Sequence, residues 1–293
     1  MKVALWAENL AVPIASLGDW LGLAERQAAA AASQGAVLLL MPEYSSCHWL
    51  ALIPRGLPGP EQLSRLADFS PVAIAGVTKI AKKHGILIVS GSFPVSCPGL
   101  NPPLVNRAHI HFPDGRVLVQ DKLCLTPFEK DPEDWNLSPG SELRIFELDG
   151  HRIAVLICLD IEMPALSAKL ASCDIDLVLV PSMTLKPAGY HRVFGCAKAR
   201  AVELLVAIAA VGVIAGAEDC DQHYSGASIF LPCEEEFGHS GILAEIPPSY
   251  TTEGLGPLLI KDVPLDEIRK MREGGAEVWP GAWTADHVRI VKA

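Results

Sequence analysis

The sequence predicts a single α/β domain built on mixed β-sheet. Three observations predict it. Short apolar, β-rich runs alternate with helical patterns from the first residues onward, so that helices act as crossovers between strands. Two pairs of strand candidates are instead joined by short turns, Pro113-Asp114-Gly115 and Asp149-Gly150, which require antiparallel neighbours. No linker, low-complexity run or charge block divides the 293 residues, although the second half repeats the pattern of the first.

Taken in order, residues 3–7 form an apolar strand, 17–33 an alanine-rich helix, and 36–40 a second strand that ends on Met41-Pro42-Glu43. Residues 61–84 carry helical periodicity and Gly85 is placed to cap it. Strands follow at 86–90, 105–112 and 116–120, the last two flanking the Pro113-Asp114-Gly115 turn. Strands at 145–148 and 153–157 pair around Asp149-Gly150. A helix at about 162–172, a strand at 177–180 and a helix at about 188–204 come next. Further strands are expected at 206–211, 226–231, 242–246 and 257–260. Val263-Pro264-Leu265-Asp266 then opens a short terminal helix.

Half of the residues are hydrophobic and a fifth are charged, which provides for a large core. A formal net charge of −10 argues against nucleic acid or an anionic membrane as partner. The eight cysteines (Cys47, Cys97, Cys124, Cys158, Cys173, Cys196, Cys220 and Cys233) are scattered without a C-x-x-C pair, a pattern of reduced thiols rather than of a disulfide framework or zinc ribbon. The N-terminal apolar run meets Glu8 too soon for a signal peptide. The longest apolar stretch, 204–217, is interrupted by Gly212 and Gly216 and falls short of a membrane span. The expectation is a cytoplasmic protein.

Three strands deliver an ionisable group just past their ends, where open α/β sheets bind ligands. The first gives Glu43, the second Lys122, and the third, Ile153-Ala154-Val155-Leu156-Ile157, gives Cys158. Alone, each has a plain structural reading: a surface carboxylate, a lysine blunting a strand edge, a small buried thiol. Together they form a chemical unit. A thiol is a poor nucleophile until deprotonated, and a carboxylate can take its proton and return it to a leaving amine. A protonated lysine cannot be that base, and its natural task is to hold the oxyanion of an attacked carbonyl, with the Leu159 amide as second donor.

In this order and with these flanks, Glu43, Lys122 and Cys158 resemble the catalytic triad of the nitrilase (carbon–nitrogen hydrolase) superfamily. Lys122-Leu123-Cys124-Leu125-Thr126-Pro127-Phe128-Glu129 is similar to its K-x-x-L-x-P-x-E, and Cys158-Leu159-Asp160-Ile161-Glu162-Met163-Pro164 to its C-x-D-x-x-x-P. The likeness continues through Asp176-Leu177-Val178-Leu179-Val180-Pro181-Ser182, Ala199-Arg200-Ala201-Val202-Glu203 and the segment Gly226, Ser228, Ile229 and Pro232, and so covers essentially the whole chain. The resemblance implies a four-layer αββα sandwich of two mixed sheets and a homodimer or larger homo-oligomer. It implies a cofactor-free, metal-free hydrolase of non-peptide C–N bonds, with Glu129 as a fourth active-site residue orienting Lys122 and the substrate nitrogen. The segment 262–293 is read as an extension packing on the dimer partner. Leu159 stands where the family often has an aromatic residue, Ala165 where it has a carboxylate, and Leu204 where it has an asparagine. Nitrile-hydrolysing members commonly read C-W-E, so Cys158-Leu159-Asp160 leans toward the amidase side.

The resemblance thus implies hydrolysis of a small carboxamide through a cysteine thioester. A nitrilase or N-carbamoyl amide hydrolase using the same triad is the alternative, and a catalytically silent binding or scaffold protein is the alternative of another class. Glu129 and Asp160 also suit helix or turn caps; an active-site role is favoured for Glu129 and a structural one for Asp160. Tyr44, Leu159, Trp135 and Met183 are pocket-lining candidates. His109 and His111 share one strand face but have no third ligand at useful spacing, so they read as packed or solvated residues. His48 and His191 border the motifs without being needed by the chemistry, and Cys47, Cys124 and Cys196 read as packing residues.

Overall fold

A computed structural model of the chain describes residues 1–216, 222–274, 276 and 286–291. The predicted alternation resolves into β1 (Lys2–Trp6), α1 (Leu17–Ser33), β2 (Leu38–Leu40), α2 (Gly59–His84), β3 (Leu87–Ser96), β4 (Leu104–His111) and β5 (Val117–Asp121). A one-turn helix α3 (Pro127–Lys130) follows. The second half gives β6 (Ile145–Leu148), β7 (His151–Val155), α4 (Pro164–Leu170), β8 (Leu177–Ser182), α5 (Pro187–Leu204) and β9 (Ala207–Gly212). It ends with β10 (Ser225–Phe230), β11 (Ile242–Ser249), β12 (Leu258–Asp262) and α6 (Leu265–Arg272).

The described strands form two six-stranded mixed sheets, ordered β12-β1-β2-β3-β4-β5 and β11-β10-β9-β8-β7-β6. Each has three central parallel strands with antiparallel neighbours outside them. The two halves of the chain therefore share one topology. Strand alternation separates the layers. Val3, Leu5, Leu38 and Leu40 face the second sheet, whereas Ala4, Trp6, Leu39 and Met41 join Trp20, Leu63 and Val77 beneath α1 and α2. Helix α5 covers the second sheet through Val193, Phe194, Ala197 and Ala201. This is the expected αββα sandwich.

Local chemistry accounts for the ends of these elements. Ser16 caps α1 by accepting from the Asp19 amide at 3.1 Å. Gly85 ends α2 at φ 64°, and Asp149-Gly150 turns the β6–β7 hairpin at φ 51° and 78°, as a two-residue turn demands. Two departures from the sequence reading matter later. Strand β3 continues past 90, because a bulge at Gly91 re-registers it against β4. Residues 45–52, which carry no clear periodicity, form a 3-10 turn.

Helix α6 docks on its own chain. Leu265 and Ile268 are buried, and Arg269 and Arg272 both pair with the fully buried Asp176 at the start of β8. Residues 277–285, most of the remaining C-terminal extension, and Cys220 lie outside the described residues. Among the described residues no helix is long and apolar enough to cross a membrane.

Candidate active site

The parallel strands β2 and β7 end on opposite sheets but at the same edge of the sandwich, and their ends bring Glu43 and Cys158 together. The Cys158 thiol and the Glu43 carboxylate are buried close enough to act on each other electrostatically. Lys122, just past β5, places Nζ 2.8 Å from Glu43 Oε1 and 2.9 and 2.8 Å from Glu129 Oε1 and Oε2. All four groups are buried, and Lys122 is only 2% exposed. The three strand-end residues read from the sequence, with Glu129, thus form one contiguous cluster.

Each member is held from more than one side. Glu43 Oε1 also accepts from Asn106 Nδ2 at 3.0 Å, and Oε2 from the Met183 amide at 2.9 Å. Glu129 accepts from the Tyr44 hydroxyl at 2.8 Å and from the Thr126 amide and hydroxyl at 2.8 and 3.0 Å. Thr126 accepts in turn from the Glu129 amide, so a capping box that starts α3 also fixes the carboxylate. Asp160, fully buried, accepts from the amides of Ile157, Leu123 and Cys124 at 3.0, 3.1 and 2.7 Å. It ties the turn that carries Cys158 to the segment carrying Lys122, the structural role favoured from sequence.

The backbone is strained where the site is built. Cys158 and Tyr44 have φ of 48° and 51°, a region that costs non-glycine residues about 1–3 kcal/mol. For Cys158 that twist turns the thiol out of the strand toward Glu43 and the Met183 carbonyl, 3.7 Å away.

Electrostatics divide the labour between the two carboxylates. Burial raises Glu43 above the ordinary carboxylate range even though Lys122 opposes it. Burial acts the same way on Glu129, but Lys122 and the hydrogen bonds around it win and leave that carboxyl lowered. Burial would lower Lys122, but Glu43 and Glu129 together outweigh it and raise the ammonium well above its usual value. Burial, reinforced by Glu43, pushes the Cys158 thiol well above its usual value. The resting site therefore holds a neutral thiol, a fixed ammonium, a permanent carboxylate at Glu129 and a poised one at Glu43. Two acids with environments that pull them apart is the arrangement of an acid–base pair with separate duties.

The other candidates fall into place around this cluster. Met183 contributes through its backbone, which binds Glu43 and the thiol; its Sδ lies 3.8 Å from Cys47 Sγ. Trp135 packs edge-on against Tyr44, ring centroids 4.6 Å apart. Leu159 directly follows Cys158 and is half-buried. His109 and His111 are packed residues: burial lowers both to about 3, His109 stacks on Phe93, and His111 lies between Thr78 and Ser90. His48 turns away to Glu8 at 2.8 Å, and His191 is exposed. Among the described residues no three His, Cys, Asp or Glu side chains are grouped to hold a metal.

Sequence reasoning missed Asn106, Ser92 and Gly91. Asn106 is the one amide on β4, fully buried between Val105 and Arg107, and a polar amide within that strand is its only signal. Ser92 bridges to Glu43 and accepts from the Tyr44 amide at 3.4 Å. Gly91, at φ 66°, lets β3 pass so near Pro42 that an added Cβ would lie 1.7 Å from the Pro42 carbonyl oxygen. Gly91→Ala should therefore displace the Pro42-Glu43 segment, costing about 3 kcal/mol or more and most of the activity. Thermal unfolding with near-wild-type stability and turnover would contradict this account of the bulge.

Residues 10–273 match the family model described as carbon-nitrogen hydrolase. The chain is 32% identical over 216 residues to the probable hydrolase YhcX of Bacillus subtilis, an alignment covering 73% of this chain and 40% of that protein. It thus spans less than half the length of that relative. It is 30% identical over 183 residues to omega-amidase NIT2 of Danio rerio, covering 59% of this chain and 62% of that one. Among solved structures, the NitN amidase of Nesterenkonia sp. AN1 superposes with a TM-score of 0.66 at 24% identity, covering 93% of this chain and 96% of that one, a likeness of fold. A structure of a glutamate-to-leucine mutant of that amidase shows covalent addition of the acetamide moiety of fluoroacetamide at its active-site cysteine.

Proposed function

The chain belongs to the carbon–nitrogen hydrolase family, and from that premise we propose that it hydrolyses a small carboxamide through a thioester on Cys158, releasing ammonia and a carboxylic acid. The observation that carries the proposal is the buried cluster that gathers Cys158 with Glu43, Lys122 and Glu129, Lys122 Nζ lying 2.8 Å from an oxygen of each carboxylate. The omega-amidase relative and the reactive cysteine of the NitN amidase support it.

In this reading Glu43 takes the thiol proton as Sγ attacks the carbonyl carbon. Base assistance of this kind is worth roughly 10²–10⁴-fold. Lys122 and the Leu159 amide hold the oxyanion of the tetrahedral intermediate. Lys122 can serve because Glu129, anionic throughout, keeps it charged and in place when Glu43 becomes neutral. The intermediate collapses by breaking the C–N bond, and the nitrogen leaves as ammonia with the proton from Glu43. Glu43, ionised again, deprotonates a water that attacks the thioester. The acid departs and the proton returns to Cys158.

The pH dependence follows from the directions of the shifts. Glu43 must be ionised to act, and its pKa is raised from 4.5, so kcat/KM should fall as pH drops through a value above 4.5. The thiol is held protonated and is deprotonated only within the reaction, so activity should not climb through the ordinary thiol range near 8.5. A profile with its acid limb at or below 4.5, or one that tracks thiolate formation, would contradict the assignment of Glu43 as base. Ammonia release from amides, nitriles and N-carbamoyl compounds measured side by side tests the substrate class, and release from nitriles alone would overturn the amidase reading.

A further inference from the structure

We propose that the acyl side of this site takes a neutral, apolar or aromatic group, with Trp135 as the specificity-determining residue. The inference rests on the amidase reading and narrows its substrate. It starts from an aromatic ladder that runs from the catalytic cluster to the surface. The Tyr44 hydroxyl is fixed on Glu129, its ring meets Trp135 at 4.6 Å, and Trp135 meets Phe128 at 5.2 Å, both edge-on. Exposure grows outward: Tyr44 is 1% exposed, Trp135 half-buried and Phe128 50% exposed.

A ladder serving only to pack would bury its last ring, because leaving large apolar surface in water forfeits its hydrophobic contribution. Phe128 instead presents half its surface to solvent directly beside Glu129. Met183, whose carbonyl faces the thiol and whose sulfur meets Cys47, is followed two residues on by Leu185, 46% exposed. Exposed large apolar side chains next to a polar catalytic cluster are the composition of a small-molecule pocket mouth.

Charge points the same way. A substrate carboxylate needs a cation with unspent hydrogen bonds. Lys122 is committed to two carboxylates. The segments 44–57, 127–137 and 183–191 bring Arg55, Lys130 and Lys186, but also Glu129, Asp131, Glu133 and Asp134, so they carry no net positive charge.

The test is kcat/KM for acetamide, butyramide, hexanamide, phenylacetamide and 2-oxoglutaramate, a carboxylate-bearing amide. The expected result is a rise of about fourfold for each added methylene from acetamide to hexanamide, and phenylacetamide preferred over 2-oxoglutaramate by about a hundredfold or more. Trp135→Ala should compress the phenylacetamide-to-acetamide ratio by about tenfold. Phe128→Ser, a change at an exposed ring that leaves the core alone, should compress it severalfold. A flat series in a protein that turns over acetamide, or a preference for 2-oxoglutaramate, would overturn this inference and leave the amidase reading standing. An unchanged ratio in a folded Trp135→Ala protein would overturn the role of Trp135. No turnover of any amide would overturn both.

Discussion

Cys158→Ala should lower ammonia release by about 10⁴-fold or more while leaving the fold within about 1 kcal/mol of wild type. Both halves of that expectation come from the site. The thiol is neutral at rest, so its removal strands no charge, and its contacts are the Glu43 carboxylate and a weak approach to the Met183 carbonyl at 3.7 Å. The φ of 48° is a cost that alanine bears much as cysteine does. Nothing else in the cluster can form a covalent bond to an acyl carbon from that position. Unfolding curves and ammonia assays on the same preparation check the two halves together, and a folded, active Cys158→Ala protein would remove the nucleophile from the account.

Lys122→Met should do more damage than the nucleophile mutation, because it strikes stability as well as rate. Losing one oxyanion donor costs roughly 10²–10³ in kcat. It also leaves Glu43 and Glu129 buried together without their counter-ion, and breaking such a cluster from one side costs about 3–5 kcal/mol. The pH dependence of that loss has a definite sign. In the wild type, Glu129 has a lowered pKa and contributes stability that is present above 4.5 and lost on acidification. In the mutant, Glu43 rises further and Glu129 loses the charge that lowered it, so stability is lost as pH rises and regained as protons return toward 4.5. A melting temperature on the order of 10 °C below wild type at pH 8, with the gap narrowing at pH 5, is expected. Equal melting temperatures at pH 8 would show that Lys122 is not the counter-charge of the cluster.

The contrast between legible and hidden residues has a physical basis. Alternation of apolar runs with helical periods places nearly every strand and helix, because burial in a layered sandwich imposes period 2 on one kind of element and 3.6 on the other. Helix 17–33 is found with its bounds intact. Glu43, Lys122 and Cys158 are legible because each lies just past the end of a strand-like apolar run. Asn106 is hidden for the opposite reason: it lies inside a strand, and its partners Glu43 and Glu129 are 63 and 23 residues away. The Gly91 bulge is hidden because a glycine in a strand does not announce which backbone will pass it. Met183 shows a further limit, since its contribution is an amide and a carbonyl that any residue would supply. The turn over residues 45–52 follows no hydrophobic period, being held by His48 on Glu8 and Cys47 on Met183.

The covalent intermediate is the centre of the account, and trapping it is the most direct test. Butyramide turnover would be followed with increasing hydroxylamine, monitoring ammonia, butyrate and butyrohydroxamate together. A thioester on Cys158 predicts that hydroxylamine competes with water for the acyl group: hydroxamate appears at the expense of butyrate, and ammonia release is undiminished. Ammonia and butyrate formed in equal amounts, with no hydroxamate at any hydroxylamine concentration, would mean that water attacks the amide directly and would contradict the role of Cys158.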